Sequence, residues 1–95
     1  RNDLGQLWEN FMVIERLKYR TYAAIPANMY FWRTYDQQEI DLVEERDGRL
    51  FGYECKWVSK KAIAPPKSWT AAYPEAEFSV IQPQNYQAFV LPVDS

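Results

Sequence analysis

Glu39-Ile40-Asp41-Leu42-Val43-Glu44-Glu45-Arg46, Asp47-Gly48, Arg49-Leu50-Phe51-Gly52-Tyr53-Glu54-Cys55-Lys56-Trp57-Val58 is the stretch on which the fold turns. Asp-Gly between two β-prone runs predicts a hairpin, because a type I′ turn needs φ > 0 at both central residues. With Asp47 and Gly48 as the loop, Arg46 faces Arg49, Asp41 faces Glu54 and Glu39 faces Lys56. Directly opposed cross-strand side chains have Cβ atoms about 5 Å apart. Two facing carboxylates repel each other unless positive charge lies between them, and a divalent cation or Lys56 would supply it. The bland alternative is a pair of solvated charges on an open sheet face. For Lys56 it is an ion pair with Glu39, which is compatible with a role at a site.

The second run alternates. Phe51, Tyr53, Cys55 and Trp57 share one face with Ile40 and Leu42 of the first run, and Leu50, Gly52, Glu54, Lys56 and Val58 share the other. Gly52 leaves room for a close neighbour. Cys55 therefore points away from Glu54 and Lys56 and reads as a buried thiol.

Upstream, Asp3 and Gln6 have capping-box spacing, and Leu4, Leu7, Phe11, Ile14 and Leu17 follow at helical intervals, predicting a helix over about 3–20. Its apolar stripe centres near Leu4 and Phe11, with Gly5, Glu9, Arg16 and Arg20 on the opposite arc. Such a helix packs on a sheet and is overlaid elsewhere. Pro26 breaks the chain, Met29 to Thr34 is a strand, and a turn symmetric about Asp36 and Gln37 sets Trp32 across from Asp41. Downstream, Pro65-Pro66 opens a short helix to about Tyr73, Phe78 to Gln82 is a strand, and Asn85 to Leu91 a further edge strand. Trp8, Trp32 and Trp57 read as core; Trp69 is not assigned. The order α-β-β-β-α-β-(β) is one α/β (α+β) layer fold.

Composition narrows the function classes. The 95 residues make one small domain, with 47 % hydrophobic and 17 % aromatic residues available for a core. No run reaches the roughly 20 apolar residues of a membrane span. The single cysteine excludes an internal disulfide framework and fits a reducing cytoplasm. Histidine is absent, which removes His triads, His relays and His-containing zinc sites. Hydrolysis would have to run on carboxylates, lysine and a hard metal. The net charge of −2 differs from the basic surface of a free-standing nucleic-acid binder. A helix starting almost at residue 1, with no initiator Met, suggests a piece of a longer protein.

An aspartate on the second strand and Glu-X-Lys on the third, in this element order, resembles the PD-(D/E)XK nuclease-like superfamily. Gly5-Gln6-Leu7-Trp8-Glu9-Asn10-Phe11, Tyr30-Phe31-Trp32-Arg33-Thr34, Glu39-Ile40-Asp41-Leu42-Val43 and Glu54-Cys55-Lys56 look closer still to the C-terminal domain of bacterial and archaeal AAA-type ATPases. The likeness covers nearly the whole chain.

It implies a restriction-endonuclease-like αβββαβ core, a mixed central sheet flanked by helices, spanning residues 1–95. It also implies a metal-dependent nuclease in the cytoplasm, acting on nucleic acid (DNA foremost) and attached to an ATPase domain, with homo-oligomers left open. Mg²⁺ or Mn²⁺ would be held by Asp41, Glu54, the backbone carbonyl of Cys55 and Glu9, and the catalytic set would be Asp41, Glu54, Lys56 and Glu9. For Glu9 the bland reading is an ordinary polar helix face shared with Arg16 and Arg20. Lys60, Lys61 and Lys67 follow the active strand and are either phosphate contacts or merely solvated. The alternative function is a catalytically idle interaction or regulatory module of the ATPase.

Overall fold

The computed structural model describes residues 3–91. Helix α1 (Asp3–Ala23) is followed by strands β1 (Asn28–Arg33), β2 (Glu39–Arg46) and β3 (Arg49–Cys55). Helix α2 (Lys67–Ala72), strand β4 (Glu77–Ile81) and a final helical turn, α3 (Gln87–Val90), complete the domain. The strands form one mixed sheet in the order β1-β2-β3-β4, antiparallel through β3 and parallel between β3 and β4. The parallel crossover carries α2, the connection a parallel pair requires.

The hairpin closes at Asp47 and Gly48, with φ of 53° and 74°. Arg46 pairs with Arg49 and Leu42 with Tyr53. Strand β1 departs from expectation near its turn. Tyr30 pairs with Val43, but Trp32 pairs with Ile40 rather than Asp41. The connection from Thr34 to Gln38 is centred on Asp36, held by Thr34 N–H donating to Gln38 O at 2.8 Å. The register shift leaves Asp41 and Leu42 together opposite Phe31, a β-bulge. One extra residue reverses the alternation before it, so Ile40 does not share the face of Leu42.

Two cores result. Trp8, Met12, Leu42, Tyr53, Cys55, Ile81, Phe89 and Val90 cluster on the side of α1 and α3. Ile40, Val43 and Trp69 cluster on the side of α2, with Trp32, Leu50 and Phe78 against them. Gly52 admits Trp69 to the sheet: a Cβ there would lie 3.3 Å from the indole. Trp57, expected in the core, is 40 % exposed beside Trp8.

The segment expected as a fifth strand turns instead into α3. Asn85 ties the turn after Pro83, its Oδ1 accepting from Gln82 N–H at 2.7 Å and its Nδ2 donating to Val80 O at 2.8 Å. A helical turn buries the consecutive pair Phe89 and Val90 together, which an alternating strand would place on opposite faces.

Helix α1 is rotated by about 90°, at 100° per residue, from the orientation its leucine stripe predicts. Trp8, Met12 and Arg16 face the sheet, while Leu4, Leu7, Phe11, Ile14 and Leu17 are turned outward. The cause is Glu44. Its position on β2 points inward and is fully buried, and Arg16 grips it with Nε and Nη2 at 2.9 and 3.0 Å. Arg46 adds a third bond at 2.8 Å and Arg20 approaches to 3.5 Å. A buried carboxylate without such partners costs several kcal/mol, so the helix turns its arginine inward even at the expense of exposing apolar side chains. Trp8 adds a bond in the same sense, its Nε1 donating to Ile81 O at 3.1 Å.

Candidate acidic site at the bulge

The bulge determines where the acidic residues fall. Past Leu42, side chains take the place of ladder bonds: Asp41 N–H donates to Glu54 Oε1 at 3.2 Å, and Cys55 N–H donates to Asp41 Oδ2 at 2.8 Å. Asp41 and Glu54 are therefore neighbours across β2 and β3, as the hairpin count predicts. They line one concavity of about 400 Å³ with Glu9, Glu39, Lys56, Cys55 and, from the N-terminal turns of α1, Leu4 and Gly5. Glu9 reaches this concavity because it sits one position past Trp8, on the edge of the helix face that touches the sheet.

Electrostatics mark the pair as crowded. Burial, then the charge of Asp41, pushes the Glu54 carboxyl up to about 7. Burial likewise raises Asp41, partly opposed by the Cys55 N–H bond and by Lys56. Glu9 is raised by burial and then by Asp41 and Glu39. Lys56 Nζ lies 3.7 Å from Glu54 Oε2, while Glu39 is engaged by Arg33 at 3.2 Å. The cross-strand pairing of Lys56 with Glu39 thus gives way to Lys56 beside Glu54. Burial pushes the Cys55 thiol up to about 12, in keeping with its place in the core.

A second, wider concavity of about 680 Å³ adjoins the first through Glu39, Glu54 and Lys56, and is also lined by Gln37, Gln38, Pro65, Pro66 and Lys67. Lys67 thus joins the site region. Lys60 and Lys61 are exposed on the loop after β3 and line neither concavity. Among the described residues, no group of three or more His, Cys, Asp or Glu is placed to hold a metal ion. Also among them, no helix is long and apolar enough to cross a membrane.

The fold and site define a mixed α/β domain with a paired-carboxylate pocket at the open end of its central hairpin. Residues 4–91 match the family described as a domain of unknown function, DUF4143, and the chain belongs to that family. Uncharacterized proteins of Mycobacterium tuberculosis and Mycobacterium bovis are each 41 % identical to it over 63 residues. That stretch is 64 % of this chain and 13 % of each relative, so the chain spans only a small part of their length. No solved structure matches it.

Sequence reasoning missed the Arg16–Glu44–Arg46 cluster. The signal was present: Glu44 has the same strand parity as Leu42 beyond the bulge, so an acid there points into the core and requires a buried base.

Proposed function

We propose that this is a PD-(D/E)XK-type domain with a restriction-endonuclease-like core, hydrolysing nucleic-acid phosphodiester bonds with Mg²⁺ or Mn²⁺ and attached to an AAA-type ATPase. The observation that carries the reading is the Asp41–Glu54 pair in one concavity with Lys56 and Glu9, the proton affinity of Glu54 raised toward neutrality by burial and its neighbour. Two crowded carboxylates with raised proton affinity are under-compensated, and a hard dication relieves that strain.

The donor set suits such an ion. Asp41 Oδ2 and Glu54 Oε1 each accept a backbone N–H, Glu54 Oε2 lies 3.7 Å from Lys56 Nζ, and both residues line the concavity. Mg²⁺ is commonly bound by one or two carboxylates, with waters and substrate phosphate completing its shell, so a closed cage of side chains is not required. Asp41 and Glu54 would hold the ion, with the Cys55 carbonyl and Glu9 beside them. When bound, the ion lowers the pKa of a coordinated water and offsets charge on the phosphate. Lys56 positions the attacking water and stabilises developing negative charge, and Glu9 orients a water from the helix side. The adjoining groove, with Lys67, Gln37 and Gln38, seats the phosphate backbone.

Calorimetric titration with Mn²⁺ tests the ligands: wild type binds, and Asp41→Asn does not. Undiminished binding by Asp41→Asn overturns the assignment. Incubation with single- and double-stranded DNA plus Mn²⁺, alongside Lys56→Ala, tests the chemistry, and cleavage is expected only from wild type.

A second reading, an idle interaction module of the ATPase, is favoured by one observation. Asp41 and Glu54 each stitch the bulge through a backbone N–H, a structural use sufficient in itself. No cleavage by wild type, alone or within the longer protein, selects that reading.

A further inference from the structure

On α1, Leu4, Leu7, Phe11, Ile14 and Leu17 are between 41 % and 59 % exposed, although the opposite side of the helix is filled by Trp8, Met12 and Arg16 against the sheet. Their spacing places all five on one stripe. At its N-terminal end the stripe runs into an apolar groove of about 300 Å³ lined by Leu4, Leu7, Trp8, Phe11 and Trp57. At roughly 80–100 Å² for each half-exposed side chain, the stripe presents on the order of 450 Å² of apolar surface, the size of the largest apolar patch on a typical soluble domain, which is often functional.

We propose that this stripe is a homodimer interface, in which α1 packs antiparallel against α1 of a second copy about a two-fold axis. A two-fold contact uses the same patch twice and so must be self-complementary. The stripe meets that demand closely, because Leu4 and Leu17, and Leu7 and Ile14, are symmetric about a point half a residue from Phe11. With the axis beside Phe11, Leu4 meets Leu17 of the second copy, Leu7 meets Ile14, and the two Phe11 rings flank the axis. The same register brings Asp3 in the first turn to Lys18 of the second copy, whose ammonium is largely exposed beside Glu15. A parallel pairing would instead set each of these charges against its own copy. Antiparallel packing also places each helix N-terminus near the partner's C-terminus, which the helix dipoles favour. Steps of three and four residues suit helix pairing at about 20°. With Trp57 included, the pair buries about 1,000 Å² in total, the low end for a specific interface, so the dimer is reversible. This inference is independent of the phosphodiesterase reading.

Sedimentation velocity of the 95-residue chain over the micromolar range should show the mass rising from 11.3 kDa toward twice that value. Leu7→Glu and Ile14→Lys should each remain monomeric, because either homodimer would bury its charge against an apolar side chain twice. Both positions are more than half exposed within one copy, so circular dichroism and thermal melting should show an intact fold. Mixing the two variants in equal amounts should restore the doubled mass, since Glu then meets Lys once and Leu7 meets Ile14 once. Three results overturn the proposal: a wild type that stays at 11.3 kDa, leaving the stripe to another segment or partner; single variants that dimerise like wild type; or a mixture that stays monomeric.

Discussion

Replacing Glu44 by glutamine removes a charge from a fully buried position and should lower folding stability by roughly 3–5 kcal/mol. Glu44 is 0 % exposed and Arg16 5 %, and the two share bonds of 2.9 and 3.0 Å. A glutamine of the same shape keeps one acceptor oxygen but turns an NH₂ toward a guanidinium, donor against donor. Arg20 and Arg46 lie nearer the surface and keep other partners, Ala27 O for Arg20 and the Tyr53 hydroxyl for Arg46. Arg16 cannot turn toward water, because its Nη1 is tied to Phe89 O at 2.9 Å and its guanidinium lies 4.7 Å from the Phe89 ring centre and 5.3 Å from that of Tyr19. Those rings offset only part of the loss, about 1–2 kcal/mol for a desolvated cation. Domains of this size are stable by on the order of 5–14 kcal/mol, so the expected loss is a large share of the whole. Melting should fall by roughly 15–30 °C. Urea unfolding followed through the buried Trp8 and Trp69 measures the change directly. The double variant Arg16→Met/Glu44→Leu should recover most of the deficit, since an apolar pair of similar volume often replaces a buried ion pair without loss. A Glu44→Gln protein within about 1 kcal/mol of wild type would refute the reasoning, for α1 would then be held by Trp8 and Met12 without need of the ion cluster.

The Glu54 carboxyl, pushed up to about 7 from 4.5, favours its protonated form in the folded state. Its contribution to stability is therefore whole below about 4.5 and is lost as pH rises through about 7, so metal-free wild type should lose stability over that window while Glu54→Gln loses less. In NMR, Asp41→Asn should lower the Glu54 midpoint; an unmoved midpoint refutes the coupling between them. Mn²⁺ should bind more weakly at about pH 6 than at about pH 8, because Glu54 must lose its proton to act as a ligand; pH-independent affinity would exclude it. Gly52→Ala should destabilise by about 1–3 kcal/mol in urea titrations, since the new Cβ meets Trp69, Ile40 and Phe78 at 3.3–3.4 Å. Cys55, with its thiol raised to about 12 and buried, should react with iodoacetamide only on unfolding, and rapid labelling of the native protein would contradict that placement.

The elements whose signals are local were legible. Asp47-Gly48 defines the hairpin because turn geometry demands positive φ there, and the count back to Asp41 and Glu54 follows. Helix α1 was legible for its length and period, yet not for which face turns inward. That choice depends on Glu44, 28 residues beyond Arg16, and a pattern that scores apolar residues does not register a charge pair buried between two elements. The bulge was hidden for a related reason. Ile40 and Leu42 look like successive core positions of one face, and only the five-residue turn from Thr34 to Gln38 forces the extra residue that separates them. At the C-terminus, Asn85 to Leu91 carries β-prone residues, but the Asn85 side chain and the burial of Phe89 beside Val90 override that propensity.

The two departures from simple patterning act on the same pocket. Without the bulge, strict alternation would hold Asp41 and Glu54 in ordinary ladder positions, their carboxylates free of the backbone. The β2–β3 pairing ends at Leu42 and Tyr53, beside the bulge, and beyond it each carboxylate spends one oxygen on the other strand's N–H, which fixes its rotamer at the edge of the pocket. The rotation of α1 then decides which helix residue overlooks that pocket. Had the leucine stripe faced the sheet, Glu9 would point to solvent; with Trp8, Met12 and Arg16 inward, Glu9 comes within electrostatic reach of Asp41. The ion cluster around Glu44 thus positions the acidic pocket from the other end of the helix. It does so by turning five large apolar side chains outward, so the geometry that supplies the third carboxylate also supplies the exposed stripe proposed to receive a second copy.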